Sequence, residues 1–225
     1  MTRGGGRWLE LESWPRRGHY DFFRTFEEPF FSVCTDVRVS ELFARSRAPG
    51  GPSFFLGTMY ASLRASNAVE EFRLRLRPDG VWLHDRIDIG STVMRGDETF
   101  GFAYFAHADS WQQFNRAASA EVERVARSTG ATDPRDDRDD LIHHSVLPWI
   151  RLTSFAHARR RNPLDSVPKI VFGRHFEREG ERWMPVAVDV HHALADGLHV
   201  ARWLERLESE LALVGAEPPL DQPAR

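Results

Sequence analysis

The sequence predicts an α/β fold: a two-layer sandwich in which helices pack on a mixed β-sheet. Three observations carry this. Segments with period-two and with helical periodicity alternate along the 225 residues, without the regular strand–helix–strand spacing of an all-parallel sheet. Two turn signatures, Pro78-Asp79-Gly80 and Glu179-Gly180, call for antiparallel hairpins. An apolar content of 41%, with 12% aromatic residues, is enough to fill a core. The expected organisation is one domain over residues 1–225, with loose tails at 1–7 and 216–225.

From the N-terminus, RGHYDFFRTF (17–26) reads as a short aromatic helix and FFSVCTDVRV (30–39) as a strand. Ser40 stands where an N-cap would open a helix over ELFARSR. After the breaker APGGP, FFLGTMYASLRASN (54–67) reads as a largely buried helix, and EFRLRLRPDGVWLHDRI (71–87) as a hairpin. In SWQQFNRAASAEVERVARS (110–128), Trp111, Phe114, Ala118, Val122 and Val125 recur at helical spacing. TGATDPRDDRDD (129–140) reads as a solvated charged loop. PKIVFGRHFEREGERWMPVAVDV (168–190) is the second hairpin. The final helix, within 196–211, carries Val200, Leu204, Leu207 and Leu211 on one stripe.

Composition narrows the function. A formal net charge of −3 lacks the basic excess of a nucleic-acid binder. No run approaches the roughly 20 apolar residues of a membrane helix. Cys34 is the only cysteine, which leaves no intramolecular disulfide framework, and the first residues hold no apolar signal core. The expected location is the cytoplasm.

The chemistry-bearing stretch is VDVHHALADGLHVARWLERL (188–207), where a strand pattern gives way to a helix pattern. Val186, Val188, Val190 and His192 share one strand face, and Ala187, Asp189 and His191 the other. Asp196 is placed to cap the following helix, and Gly197 permits a tight backbone. Three readings stand side by side: a packed histidine beside a capping aspartate, a metal site from His191, His192, Asp196 and His199, or His192 as a general base. Neighbouring strand residues diverge and do not readily share an ion, which weakens the metal reading here and at His143-His144.

His-x-x-x-Asp-Gly followed by a helix resembles the active-site loop of the chloramphenicol acetyltransferase family. Further resemblances keep the family's order over residues 14 to 210: WPRRGHYDFF (14–23), FRLRLRPDGVWLHDRID (72–88), DETFGF (97–102) and SVLPWIRLTSF (145–155). The resemblance implies a CoA-dependent O-acetyltransferase moving an acetyl group from acetyl-CoA to a hydroxyl of a small molecule, chloramphenicol or a more polar acceptor, without a metal. It implies a homotrimer with active sites between subunits. A non-catalytic trimeric binding protein on the same fold is the alternative.

Carried over by position, His192 is implied to be the general base and Ser145 the hydrogen-bond donor to the developing oxyanion. Asp196 and Arg16 are implied to form a buried salt bridge behind the base. Trp149 and Arg174 would contact CoA, and Phe22, Phe23 and Phe100 would line the acceptor pocket. The sequence also departs from the family. Val171 replaces a threonine, Ser53 stands where a lysine commonly contacts the CoA phosphate, and Glu27, Glu28, His157 and Arg159 occupy acceptor-pocket positions that are usually small or apolar. These changes predict an altered acceptor.

Overall fold

The computed structural model of the chain describes residues 5–130, 135, 137–159, 162 and 164–216. Residues 1–4 and 217–225 of the expected tails, and 131–134 and 136 of the expected charged loop, lie outside the described residues. The described elements run β1 (Gly6–Trp8), α1 (Arg17–Phe23), β2 (Phe30–Arg38), α2 (Ser40–Arg47), α3 (Phe54–Ala68), β3 (Leu74–Arg77), β4 (Gly80–His84), β5 (Asp88–Met94), β6 (Phe100–Phe105), α4 (Trp111–Ala126), β7 (Leu141–Leu147), β8 (Lys169–Gly173), β9 (Phe176–Arg178), β10 (Glu181–His191) and α5 (Gly197–Ala216).

Seven strands form one mixed sheet in the order β2-β10-β8-β7-β5-β6, with β9 paired to β10. The β5–β7 and β7–β8 pairs are parallel and the others antiparallel. A separate three-stranded sheet has the order β1-β4-β3. Gly6 and Arg7, expected in a loose tail, pair with His84 and Leu83 in it.

Period two sets the layers. Val186, Val188 and Val190 of β10, with Ile170 and Phe172 of β8, enter the main core. Against them pack Leu42 of α2, Met59 and Leu63 of α3, Phe114 of α4, and Trp203 and Leu207 of α5. The opposite, open face of the sheet holds a small cluster of Val171, Ala187 and Leu152, with Phe155 and Cys34 half-buried beside it. Val171, the threonine replacement, is therefore a packed side chain.

Local chemistry accounts for the element ends. Ser53 caps α3, its hydroxyl accepting from Leu56 N at 3.4 Å, and Ser110 caps α4 through Gln113 N at 3.3 Å. Glu179 and Gly180 both take positive φ, 55° and 77°, which closes the β9–β10 hairpin as a two-residue turn. No described helix is long and apolar enough to cross a membrane.

Two expectations are corrected. Ser40 makes no capping bond at α2. Its hydroxyl donates to Glu181 and accepts from Arg182 N at 2.8 Å, tying α2 to β10. The end of the expected solvated charge run is structural: Arg138 bridges Asp88 at 2.5 Å and Asp140 at 2.7 Å, and Asp140 is buried. Arg75, which strand alternation would leave in water, is also buried. Its guanidinium donates to the carbonyls of Phe72, Leu74, Asp139 and Leu141, pinning the β3–β4 hairpin to the main sheet. Burial lowers its pKa to about 10.

Candidate active site

β10 ends at His191, and the chain folds back at once. His192 N donates to Pro29 O at 2.8 Å, and the amides of Leu194 and Ala195 both donate to His191 O. Asp196 Oδ1 accepts from Leu198 N at 3.0 Å, capping α5. This turn separates the two histidines. His191 is buried on the open face, where its Nδ1 accepts from Ala193 N at 3.2 Å and its ring meets Phe30 edge-on. Burial, reinforced by Arg159, lowers its pKa to about 4.

His192 keeps the parity of Val190 and is only half-buried. Its ring is stacked on Phe23, with centroids 3.9 Å apart, and tilted against Phe31 at 4.6 Å. Nδ1 lies 3.2 Å from the Ala195 carbonyl oxygen. A carbonyl only accepts, so that contact assigns the proton to Nδ1 and leaves the lone pair on Nε2.

Arg16 and Asp196 form an ion pair behind this turn, and Arg16 Nη2 also donates to His192 O at 3.3 Å. The pair is less enclosed than expected, with side chains 12% and 32% exposed. Burial alone would raise the Asp196 pKa. The Arg16 hydrogen bond and the charges of His199 and Arg16 outweigh it and hold the carboxyl below its ordinary range. His199 bridges further, its Nδ1 2.9 Å from Asp196 Oδ1 and its Nε2 3.2 Å from Glu71 Oε1.

The remaining expected residues gather at two cavities. A cleft of about 360 Å³ on the helix side holds Trp149 and Arg174 together with Phe54, Phe55, Met59 and Phe172. A cavity of about 690 Å³ on the open face holds Ser145, Phe100, His157 and Arg159. Phe22 is 60% exposed and packs edge-on against Phe23 and Phe26 beside His192. Glu27 and Glu28 are exposed on the α1–β2 loop and line neither cavity, so within one chain they do not reshape the Ser145 cavity.

One chain does not bring Ser145 to His192. Ser145 pairs with Val171, which pairs with Ala187. The five residues from Ala187 to His192 run roughly 16 Å, and two strand spacings add about 10 Å, a separation of about 19 Å.

Sequence reasoning missed Phe31, the Ala195 carbonyl and Glu71, and weighed His199 only as a metal ligand. Phe31 was legible only as a residue of the 30–39 strand; its place opposite Val190 comes from the β2–β10 register, which the sequence does not reveal. Glu71 gave no signal, since its partner lies far away in sequence.

The fold is one that solved acyltransferases share. The catalytic domain of Azotobacter vinelandii dihydrolipoamide acetyltransferase has the same fold, with a TM-score of 0.62 at 17% identity over 87% of this chain and 86% of that one. The chain belongs to the chloramphenicol acetyltransferase family, whose model matches residues 7–208. It is 27% identical over 202 residues to chloramphenicol acetyltransferase 3 of Escherichia coli, covering 89% of this chain and 94% of that one. It is 28% identical over 208 residues to the chloramphenicol acetyltransferase of Streptomyces acrimycini, covering 91% and 93%. A solved chloramphenicol acetyltransferase structure superposes with a TM-score of 0.83 at 30% identity, covering 92% of this chain and all of that one.

Proposed function

We propose that the chain transfers an acetyl group from acetyl-CoA to a hydroxyl of a small molecule, with His192 as general base, in a homotrimer whose active centres each draw on two subunits. The observation that carries this reading is the His192 imidazole: Nδ1 engaged by Ala195 O, the ring stacked on Phe23 and tilted against Phe31, and Nε2 of the neutral ring left with its lone pair. His192 Nε2 takes the proton of the acceptor hydroxyl as it attacks, a role worth about 10²–10⁴-fold. Arg16 and Asp196 hold the turn that orients the ring.

Ser145 of a neighbouring subunit donates to the oxygen on which negative charge develops. The two-chain arrangement is supported by the distance between Ser145 and His192 within one chain, and by the exposed Phe22 and Phe26 beside the base. Trp149 and the apolar walls of the 360 Å³ cleft suit the pantetheine arm, and the exposed Arg174 suits a phosphate. When bound, acetyl-CoA supplies the acyl group, its C–S bond breaks, and CoA leaves as the thiol with the proton that His192 took from the hydroxyl.

Free-thiol release from acetyl-CoA over a panel of hydroxylated acceptors, beginning with chloramphenicol, tests the reading. It predicts acceptor-dependent release that His192→Ala removes. Release that needs no acceptor, or that survives in His192→Ala, contradicts it.

A further inference from the structure

The Ser145 cavity carries chemistry that acyl transfer alone leaves unused. Phe100, Phe102 and Tyr104 are alternate residues of β6, so their rings line one side of it in a row. Opposite Tyr104, Gly90 keeps the floor shallow: a Cβ there would lie 3.3 Å from Tyr104 Cε1 and 3.8 Å from His143 Cδ2. The other wall is polar. His157 Nε2 and Arg159 Nη1 are buried with no hydrogen-bond partner among the described residues, the latter only 3.9 Å from Asp165 Oδ2, and His143 lines the same wall. A buried polar group left unpaired costs about 1–3 kcal/mol, so these are groups for a ligand to satisfy.

The formal charges around the cavity are already matched. Arg159 lies 2.7 Å from Asp189, Lys169 2.9 Å from Asp165, and Arg77 2.7 Å from Asp139, while Arg138 holds Asp88 and Asp140. Asp137 stands in solvent at the rim. Burial, with Lys169 nearby, lowers the His143 pKa to about 4, and burial lowers that of His157 to about 4, so both are neutral at pH 7. An anionic ligand would lose its hydration and find no spare counter-charge, and a cationic one would find only the solvent-exposed Asp137 and the unbonded Oδ1 of Asp139. A neutral imidazole both donates and accepts, as a hydroxyl does. The volume, about 690 Å³, is that of a small-molecule site.

We propose that this cavity is the acceptor site for a neutral polyhydroxylated ring, a glycoside or cyclitol. Its apolar C–H face packs against the perpendicular rings of Phe100 and Phe102, its hydroxyls bond to His143, His157 and Arg159, and one hydroxyl stands near Ser145. The inference rests on the acyl-transfer reading for the last of these contacts and on the cavity alone for the rest.

The test pairs titration calorimetry without acetyl-CoA with thiol-release kinetics, using phenyl glucoside, glucosamine and chloramphenicol as probes. Phenyl glucoside should bind, and its kcat/KM should exceed those of the cationic sugar and of chloramphenicol by about 10-fold or more, equivalent to about 1.4 kcal/mol. His157→Phe keeps the ring volume and should weaken glucoside binding about 10-fold without weakening chloramphenicol, and His157→Gln should recover part of the loss. Glucoside binding that His157→Phe weakens, with no thiol release from any probe, supports this site while removing the acyl-transfer reading. Thiol release with chloramphenicol and no detectable glucoside binding keeps acyl transfer and overturns this site. Equal effects of His157→Phe on both ligands overturn it as well.

Discussion

The imidazole of His192 lies nearly flat on the ring of Phe23, with centroids 3.9 Å apart and planes 16° from parallel. Phe31 lies tilted against the same ring, and the Ala195 carbonyl stands 3.2 Å from its Nδ1. His191, one residue earlier, is buried on the other face of the sheet with its Nδ1 already used. A half-buried imidazole and a fully buried one thus sit side by side in one dipeptide.

His192→Ala should therefore lower kcat by about 10³-fold or more with little change in thermal midpoint. His191→Ala should lower the midpoint and leave much of the activity at permissive temperature. Kinetics and melting curves on the same preparations check this. Losses in the reverse order would place the base in the wrong register.

Arg16 and Asp196 should behave as a coupled pair. Arg16→Ala removes a charge-assisted bond that is only partly shielded, at a cost of about 1–3 kcal/mol. Asp196→Ala also removes the cap on α5, so it should cost about 1 kcal/mol more. The double variant should cost less than the two losses together. Strict additivity of denaturation free energies would show that the contact carries no coupling.

Stability should fall with acid before the carboxylates titrate. Burial holds His143, His157 and His191 at pKa about 4 and His144 at about 3, against about 6.5 for an unfolded histidine. Between these values the unfolded chain binds protons that the folded chain refuses. Stability is thus complete above pH about 6.5 and declines toward pH 4, by at most about 5 kcal/mol per pH unit if all four contribute. Urea midpoints from pH 7.5 to 4.5 should show the decline. His144→Gln, at the ring that pairs with Ser62 Oγ at 2.8 Å, should make it shallower by about one proton. A flat midpoint across this window would contradict the buried neutral histidines.

The proposed chemistry uses no metal. His191 and His192 point to opposite sides of the sheet and so do not readily share an ion. Thiol release should survive exhaustive chelation. Activity that falls on chelation and returns with zinc would sink this expectation.

What could be read in the sequence was local. Strand parity separated His191 from His192 because β10 is regular up to its last residue, and both hairpins followed from their turn residues. The Asp196 cap was equally legible, since it lies one residue before its helix. What could not be read was long-range. Arg159 reaches Asp189 across 30 residues and Arg77 reaches Asp139 across 62, too far for a local pattern to join them. The polar wall of the Ser145 cavity is built from such contacts, and His157 and Arg159 come from the irregular segment between β7 and β8, which no hydrophobic pattern specifies. Ser40 shows the same limit at short range: its type and position fit a cap, but the partner that claims its hydroxyl comes from β10.

The most direct test of the two-chain active centre is complementation between inactive chains. His192→Ala and Ser145→Ala subunits are each prepared alone, then unfolded together, mixed in equal amounts and refolded, and thiol release is measured with an active acceptor. If each centre takes its base from one subunit and its hydroxyl from the next, random assembly pairs an intact His192 with an intact Ser145 in roughly a quarter of the sites. The mixture should then regain roughly a quarter of wild-type activity. A mixture no more active than its parents would show that Ser145 and His192 do not meet across subunits, and would contradict the account at its centre.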